Sequence, residues 1–449
     1  MPSQLSSIRP PKRPALPCVL SCPSSGLAEG WAGTRGSDSD SRARTLRAVS
    51  GRKGFALTSA LAALAALAVA PSAAHAGSDA QGAASYDLLV GTYTNTGKSN
   101  GIHVYRFDPQ SGSVSPLSSV QTVNPSYLLV GRGNRTVYAV NELPGDNGPA
   151  TEHGGVSAFS FDAVSGQLKL LDHVSSQGND PCYLSLSPDG RYLFVANYSV
   201  ASDPGGSFAV LPVKGDGSLG DAVLSVHHDG RGPMKGRQDS AHVHSTVMSP
   251  DGRYLFAQDL GTDKLYVYRY TSDGSRGLLS PTETRYVQMG AGSGPRHLVF
   301  DALGKYAYLT SELAATVTVL RYRDGTLETL QTLPLAAPGF KGKQGAAAVH
   351  LSPDGRFLYV SNRGDANEIV IFAVNSGDGS LTLVGRQSTL GRTPREFAID
   401  PSGHWLIVGN QESDTAYVFW RDPQTGKLEP NPARLDVGAP VDFKFTPAS

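Results

Sequence analysis

Apolar and polar positions along the chain follow one repeated pattern: a short apolar strand, a tight turn of the Ser-Pro-Asp-Gly kind, and a second apolar strand. Short runs of apolar and β-branched residues bounded by turn residues predict β-strands. Pro-Asp-Gly suits a hairpin turn because Pro presets one φ angle and Gly tolerates positive φ. Five clear copies and one degenerate copy occur, at Pro181–Tyr198, His244–Leu260, Pro295–Glu312, His350–Arg363, Pro394–Gln411 and, degenerate, Pro125–Glu142.

The turn glycines of these hairpins recur at a nearly constant interval. They are Gly133, Gly190, Gly252, Gly304, Gly355 and Gly403. A third strand of β-forming residues follows each hairpin. Seven such third strands occur, at Gly101–Phe107, Gly155–Phe161, Gly206–Val213, Lys264–Tyr270, Thr316–Tyr322, Glu368–Val374 and Thr415–Arg421. The two ends of the chain supply the missing hairpin: Pro440–Phe445 matches a first strand, and Tyr86–Tyr93 matches a second strand.

Units of roughly 50 residues, each a short antiparallel sheet, are typical of a β-propeller. The predicted fold class is all-β: a seven-bladed β-propeller of four-stranded antiparallel blades. Pairing the C-terminal first strand with the N-terminal second strand closes the ring and leaves neither strand as an open sheet edge. Residues 77–449 are therefore expected to form one domain, although a length of 449 residues would suggest about three.

The charge of the chain is balanced overall, with 39 Lys and Arg against 39 Asp and Glu. Nucleic-acid-binding proteins usually carry a basic excess or patch, so we expect no nucleic-acid partner. The balance conceals an asymmetry, because residues 1–76 carry a net charge of +6 and the remainder carries −6. The sequence holds three cysteines, too few for a disulfide framework, and only Cys182 lies beyond residue 76.

Residues 51–76 have the order of features expected of a secretory signal peptide. Arg52 and Lys53 form a charged start, residues 55–70 are apolar, and small residues surround an expected cleavage site after Ala76. The apolar run is short for a membrane span, so no membrane association is expected of the mature form. An alanine-rich helix is the alternative. Residues 1–50 do not fit a signal and are expected to be a non-native or disordered extension, with translation starting near Leu46 or Val49.

Polar residues of varied type are predicted to converge at one rim of the ring. With each turn glycine as origin, positions eight residues back and eight forward are expected to lie side by side at the same end of the two innermost strands. These pairs are Cys182 and Tyr198, His244 and Leu260, Arg296 and Glu312, Ala347 and Arg363, and Arg395 and Gln411, with Val441, Tyr93, Asn141 and Glu142 nearby. Seven blades would gather them around one concave mouth.

These residues are suited to acid–base catalysis on an anionic or polarised group. The guanidinium of Arg donates paired hydrogen bonds to a carboxylate, a phosphate or a developing oxyanion. Glu orients water, and His transfers a proton near neutral pH. Neither the His242-x-His244 pair nor the His227-His228 pair is strong evidence for a metal. Simpler interpretations stay open for single residues: Arg296 and Glu312 as a structural ion pair, His244 as a core or capping histidine, and Gln411 and Tyr198 as ordinary strand-end residues.

Several of these stretches resemble the seven-bladed β-propeller lactonase family, which contains the propeller-type bacterial 6-phosphogluconolactonase and the fungal carboxymuconate-lactonizing enzyme. The matching stretches span nearly all of residues 86–445. They are Val90–Thr94, His242–Tyr268, Gly294–Leu313, Val349–Gly364 and Thr393–Gly403. The most specific of the motifs is Gly-Pro-Arg-His at Gly294–His297, followed by Ser-Glu-Leu at Ser311–Leu313.

The resemblance implies opening or closing of a small lactone without metal, nucleotide or other cofactor. By motif, the catalytic quartet of the family falls on His244, Arg296, Glu312 and Arg363. The further residues expected to bind substrate are Arg395, His242, Gln411, Glu142 and Tyr198. One departure is Ala348, which stands where many relatives carry an acid and leaves the fine substrate specificity open.

We therefore predict an exported lactonase, secreted or periplasmic, that hydrolyses a small sugar lactone. The expected partner is a small lactone or an anionic sugar acid, and a monomer is favoured. Two alternatives remain: a lactonizing isomerase that acts on an unsaturated dicarboxylate, and a non-catalytic secreted propeller that binds a protein or glycan.

Overall fold

The structure is a computed structural model that describes residues 85–144, 154–200, 205–275 and 277–448. The predicted extension over residues 1–50 and the predicted signal peptide over residues 51–76 lie outside these residues. The described part contains 28 β-strands in seven four-stranded antiparallel sheets, with two short 3-10 turns and no α-helix. The predicted fold class is confirmed.

The blades are built from consecutive strands, and we number both in chain order. Blade 1 takes β1 (Tyr86–Thr92), β2 (Gly101–Asp108) and β3 (Ser113–Gln121). Blade 2 comprises β4 (Leu128–Val130), β5 (Thr136–Asn141), β6 (Gly155–Asp162) and β7 (Gln167–Ser175). Blade 3 comprises β8 (Asn179–Leu186), β9 (Tyr192–Ser199), β10 (Phe208–Pro212) and β11 (Leu224–Val226). Blade 4 comprises β12 (Val243–Met248), β13 (Tyr254–Asp259), β14 (Lys264–Tyr270) and β15 (Leu279–Gln288).

The remaining blades follow the same plan. Blade 5 comprises β16 (Pro295–Phe300), β17 (Tyr306–Ser311), β18 (Thr316–Arg323) and β19 (Thr326–Pro334). Blade 6 comprises β20 (Gln344–Leu351), β21 (Phe357–Gly364), β22 (Glu368–Val374) and β23 (Leu381–Ser388). Blade 7 comprises β24 (Pro394–Ile399), β25 (Trp405–Asn410), β26 (Thr415–Arg421) and β27 (Leu428–Asp436). The final strand, β28 (Pro440–Pro447), belongs to blade 1.

The ring closes where the sequence predicts. Strand β28 pairs antiparallel with β1, so blade 1 has the order β28-β1-β2-β3 and contains both ends of the propeller. The backbone N–H of Ala448 also donates to the carbonyl of Ser85 at 3.0 Å. Each innermost strand contacts the innermost strand of the next blade, from β4 round to β28 and back to β4.

The hydrophobic core lies between the faces of adjacent blades. One cluster packs Tyr308 and Val319 of blade 5 against Val360 and Phe372 of blade 6, and six further clusters repeat the arrangement around the ring. A strand buried on both faces shows a nearly continuous apolar run, which explains the apolar second strands of the repeat. Each blade is therefore held by its two neighbours, and the inner strands are rigid supports for the side chains at their ends.

Candidate active site

β-Bulges at the starts of the innermost strands position the predicted site residues. In β12 the register shifts at His244, because Val243 pairs with Asp259 and Ser245 pairs with Gln258. Equivalent shifts occur in β8, β16, β20, β24 and β28, at Cys182, Arg296 with His297, Ala347 with Ala348, Arg395 and Val441. A bulge residue has no partner in the ladder and bends its strand, so its side chain is re-aimed.

The predicted side-by-side pairs are consequently wrong in register. Arg296 has no partner of its own in the strand ladder, and the backbone N–H of Glu312 donates to the carbonyl of Gly294 at 2.7 Å. Arg363 pairs with Gly345 instead of Ala347. The extra residue in each inner strand displaces the pairing, since a symmetric count from the turn assumes an unbroken ladder. The side chains of Arg296, Glu312 and Arg363 nevertheless meet, because all three lie at the same end of blades 5 and 6.

Polar side chains from the inner hairpins hold the bulged backbone. The hydroxyl of Ser245 donates to the carbonyl of Arg296 at 2.6 Å, and that of Thr310 donates to the carbonyl of Ala347 at 3.0 Å. Both bonds cross from one blade to the next. Such bonds satisfy carbonyls that the bulge removes from the ladder, and they fix the arginine backbone relative to the neighbouring blade.

Glu312 lies at the centre of an arginine cluster. Its Oε2 is 3.1 Å from Nε of Arg296 and 2.9 Å from Nη2 of Arg363, and its Oε1 contacts Nη2 of Arg237. Burial opposes ionisation of the carboxyl group, but Arg363 and Arg296 hold the pKa of Glu312 well below its ordinary value. Burial, together with the charges of Arg363 and Arg395, lowers the pKa of Arg296 to about 10. The carboxylate is therefore ionised and weakly basic at neutral pH.

His244 is buried next to this cluster. Its Nδ1 lies 3.9 Å from the sulfur of Cys182, and its ring meets His297 edge to face at 5.4 Å. Burial and the charge of Arg296 hold the pKa of His244 well below its ordinary value. A histidine that stays neutral can accept a proton from water and return it to a leaving group. Burial raises the pKa of the Cys182 thiol, so this cysteine is not an activated nucleophile.

A second buried carboxylate, Glu396, lies further along the inner strands. Its Oε1 is 2.6 Å from Nε2 of His350 and its Oε2 is 3.8 Å from Nδ1 of His297, whose Nε2 is 3.2 Å from Nη1 of Arg296. Burial and the charge of Arg296 hold the pKa of His297 well below its ordinary value. The sequence reasoning missed this chain of contacts. Its signal was the polar residues His297, His350 and Glu396 within the otherwise largely apolar inner strands β16, β20 and β24.

Arg395 and Glu142 occupy the opposite side of the mouth. Nη2 of Arg395 is 3.8 Å from Oε2 of Glu142, and its guanidinium lies over the ring of Tyr93 with 5.5 Å to the ring centroid. The hydroxyl of Tyr93 donates to both oxygens of Glu142 at 2.8 Å, and the hydroxyl of Ser126 donates to Oε2. These bonds fix Glu142 and leave Arg395 with a longer contact to the same carboxylate.

The other predicted substrate-binding residues fall into two groups. His242 stacks on Tyr198 with 4.5 Å between ring centroids, and its Nδ1 lies 2.6 Å from the carbonyl of Tyr198. The hydroxyl of Tyr198 is 3.4 Å from Nη2 of Arg237, so both residues border the arginine cluster. Gln411 begins a short 3-10 turn after β25, and no contact within the described residues joins its side chain to the cluster.

A cavity of about 380 Å³ opens onto the cluster, lined by Arg237, Glu312, Arg363, Gln344, Thr393 and Glu412 with small and apolar neighbours. A larger groove of about 940 Å³ lies at the hairpin-turn end of blades 2 and 3, away from these arginines. Within the described ranges no three His, Cys, Asp or Glu side chains converge so as to hold a metal ion. In the same residues no helix is long and apolar enough to cross a membrane.

Residues 87–445 match the family model of the seven-bladed β-propeller lactonases. The chain belongs to this lactonase family. A 6-phosphogluconolactonase of Formosa agariphila is 37% identical over 355 residues, which are 78% of this chain and 96% of that protein. A 6-phosphogluconolactonase of Bacillus subtilis is 35% identical over 363 residues, which are 80% of this chain and 98% of that protein.

Among solved structures, the periplasmic gluconolactonase PpgL of Pseudomonas aeruginosa is 48% identical. The two structures superpose with a TM-score of 0.77, and the match covers 81% of this chain and all of the PpgL chain. Family, relatives and fold agree, and the enzyme class of the chain is that of a lactonase, a hydrolase of cyclic carboxylic esters. The resemblance that the sequence motifs indicate is thereby confirmed.

Proposed function

We propose that this lactonase hydrolyses a small sugar lactone of the gluconolactone type outside the cytoplasm, without a metal. The observation that carries the proposal is the convergence of Arg296, Arg363 and Arg237 on the ionised Glu312, beside the buried neutral His244. Nε of Arg363 is buried and has no hydrogen-bond partner among the described residues. A buried donor without an acceptor favours an oxygen ligand, such as a lactone carbonyl, at this position.

In the mechanism we propose, Arg363 and Arg296 stabilise the oxyanion that forms when water attacks the lactone carbonyl carbon. Glu312 accepts a hydrogen bond from the attacking water and orients it. His244 takes the proton of that water as the new C–O bond forms. It then returns the proton to the ring oxygen as the ring C–O bond breaks, which leaves a hydroxy acid and restores the neutral imidazole.

Acid release tests the proposal directly. Purified full chain should hydrolyse D-glucono-δ-lactone or 6-phospho-D-glucono-δ-lactone well above the spontaneous rate, measured with a pH indicator. The Arg296→Ala and Glu312→Ala variants should lose at least about a hundredfold in rate. A parent protein that releases no acid from either lactone would overturn the proposal. Conversion of cis,cis-muconates to lactones without hydrolysis would favour the lactonizing alternative.

The proposed location rests on the charged start, apolar run and small residues of 51–76, and on the periplasmic location in the name of the Pseudomonas aeruginosa relative. N-terminal sequencing of the protein recovered from its native host should give Gly77 as the first residue. A protein that retains the apolar run would contradict export by a cleaved signal.

A further inference from the structure

Arg237 is the one arginine bound to Glu312, within the described residues, that does not come from an inner hairpin. It lies in the segment between β11 and β12, within the longest interval between successive turn glycines, which runs from Gly190 to Gly252. The repeat therefore does not require this arginine, and neither does the catalytic quartet that the motifs indicate. The position of Arg237 therefore needs an explanation other than the repeat or the quartet.

The base of the Arg237 side chain is anchored through its neighbour. Gln238 is fully buried, and its Nε2 donates to the carbonyl of Leu260 and to Oδ1 of Asp263, both at 2.8 Å. Asp263 also accepts from the backbone N–H of Gly294, two residues before Arg296. These bonds tie the segment to the start of β16, so the backbone of Arg237 is fixed next to the cluster.

The guanidinium of Arg237, by contrast, is accessible to solvent while it contacts Glu312 and the Tyr198 hydroxyl. Its side chain is 46% exposed, compared with 2% for Arg296 and 17% for Arg363. Arg296 and Arg363 both contact Oε2 of Glu312, whereas Arg237 alone of the three contacts Oε1. Arg237, Arg363 and Glu312 all line the cavity, and Arg237 occupies the Glu312 oxygen, Oε1, that Arg296 and Arg363 leave to it.

The charge of the cluster favours an anion. Three guanidinium groups share one carboxylate, which leaves the cluster with a net charge of +2, whereas Arg395 is paired with Glu142. Glu412 at the cavity rim is exposed to solvent and reduces the positive potential of the cluster less than a buried carboxylate would. An anionic group that enters the cavity would compete with Glu312 for the most exposed of the three guanidinium groups.

We propose that Arg237 senses the anionic group of the substrate and uncovers Glu312. This inference rests on the proposed lactonase function. A phosphate or carboxylate on the lactone, remote from the reacting carbonyl, draws the Arg237 guanidinium off Oε1, and the freed oxygen accepts a hydrogen bond from the attacking water. An anionic lactone is thus favoured both because it binds Arg237 and because it releases Oε1 of Glu312. When a neutral lactone binds, Arg237 stays on Oε1.

The test compares Arg237→Gln with the parent on D-glucono-δ-lactone and its 6-phosphate. For the phosphorylated lactone, KM should rise about tenfold to a hundredfold in the variant, because a charge-assisted hydrogen bond is lost. For the neutral lactone, kcat should stay equal or rise, because Oε1 is permanently uncovered. Arg237→Lys should recover part of the lost affinity. Lys235→Gln, which removes an exposed positive charge from the same segment, should leave both substrates unchanged.

Inorganic phosphate supplies a readout that is independent of turnover. Phosphate should raise the melting temperature of the parent and of Lys235→Gln, and should not raise that of Arg237→Gln. If the parent hydrolyses neither lactone but phosphate stabilisation depends on Arg237, the proposed function fails and the anion site stands. If Arg237→Gln lowers the rates on both lactones equally, or changes neither the kinetics nor the response to phosphate, the inference is overturned.

Discussion

Replacing Glu312 with Gln should separate the structural role of the arginine cluster from its chemical role. The substitution keeps the shape of the side chain and removes its charge. Arg237 and Arg363 are partly exposed and are able to turn toward water, but the Arg296 side chain is only 2% exposed. The variant therefore leaves one buried guanidinium without its nearest carboxylate.

The contact geometry sets the magnitude of the effect. At 3.1 Å between Arg296 Nε and Glu312 Oε2, the Coulomb attraction is about 5 kcal/mol at an effective dielectric constant of about 20. Removing one partner of a buried ion pair usually costs about 3–5 kcal/mol. An unfolding entropy of about 2.1 cal/mol/K per residue, over roughly 360 residues, converts this loss into a melting temperature lower by about 4–7 °C.

Two further variants show whether an unpaired buried charge causes the loss of stability. The double variant Glu312→Gln with Arg296→Met should recover most of the lost stability, because no buried charge remains unpaired, and should stay inactive. Glu328→Gln is the matched control, since it breaks an ion pair with Arg321 in which both side chains are about half exposed or more. It should lower the stability by less than about 1 kcal/mol and leave lactone hydrolysis at the parental rate.

The assays are thermal unfolding at pH 7 and the initial rate of acid release from a lactone. Glu312→Gln should lose at least about a hundredfold in rate as well as stability. A single variant that melts within a degree of the parent would refute the reasoning about buried charge. A double variant as unstable as the single variant would show that the loss comes from hydrogen-bond geometry and not from an unpaired guanidinium.

Three other outcomes follow from the structure. Stability should fall as pH drops below about 6.5, because unfolded histidines gain protons there while His244 and His297 stay neutral in the fold. Burial raises the pKa of Asp442 to about 6, so protonation of Asp442 in the fold opposes this loss. The slope of melting temperature against pH should therefore be shallower for His297→Gln and steeper for Asp442→Asn. Unchanged slopes would contradict the assignment. Deleting residues 440–449 removes β28 and uncovers Leu88, so circular dichroism and sedimentation should show an unfolded or aggregated chain, and native-like melting would be contrary evidence. The buried thiol of Cys182 should react with a thiol reagent at pH 8 only as fast as the protein unfolds, and rapid labelling of the native protein would be inconsistent with its burial.

The architecture was predictable from the sequence because its determinants are local. The hairpin of Pro181–Tyr198, for example, combines apolar strands with a turn glycine, Gly190, at a positive φ of 74°. The pairing of β28 with β1 was predictable because two half-hairpins at the chain ends complement each other. Such features need only strand periodicity and turn chemistry.

The site was only partly predictable, because its geometry depends on the bulges. An extra residue at His244 or Arg395 leaves no trace in the alternation of apolar and polar positions, so the count from the turn gave the right neighbourhood and the wrong partners. Thr393, just before Pro394, adopts φ 59°, a conformation that β-branched residues rarely adopt and that tertiary contacts impose. Arg237 was missed because it lies outside the repeat, where periodicity carries no information.

The pairing of β28 with β1 also sets the order of events during synthesis. Tyr86 begins β1 and Pro440 begins β28, so the inner strand of the first blade is made after every other strand that the structure describes. Closing a loop of roughly 350 residues costs roughly 5 kcal/mol of chain entropy, which the final strand must offset in one step. The blades that carry Arg296, Glu312 and Arg363 are complete long before then. The mouth around them becomes a closed ring only when β28 pairs with β1, so the site is fully enclosed only after blade 1 is complete.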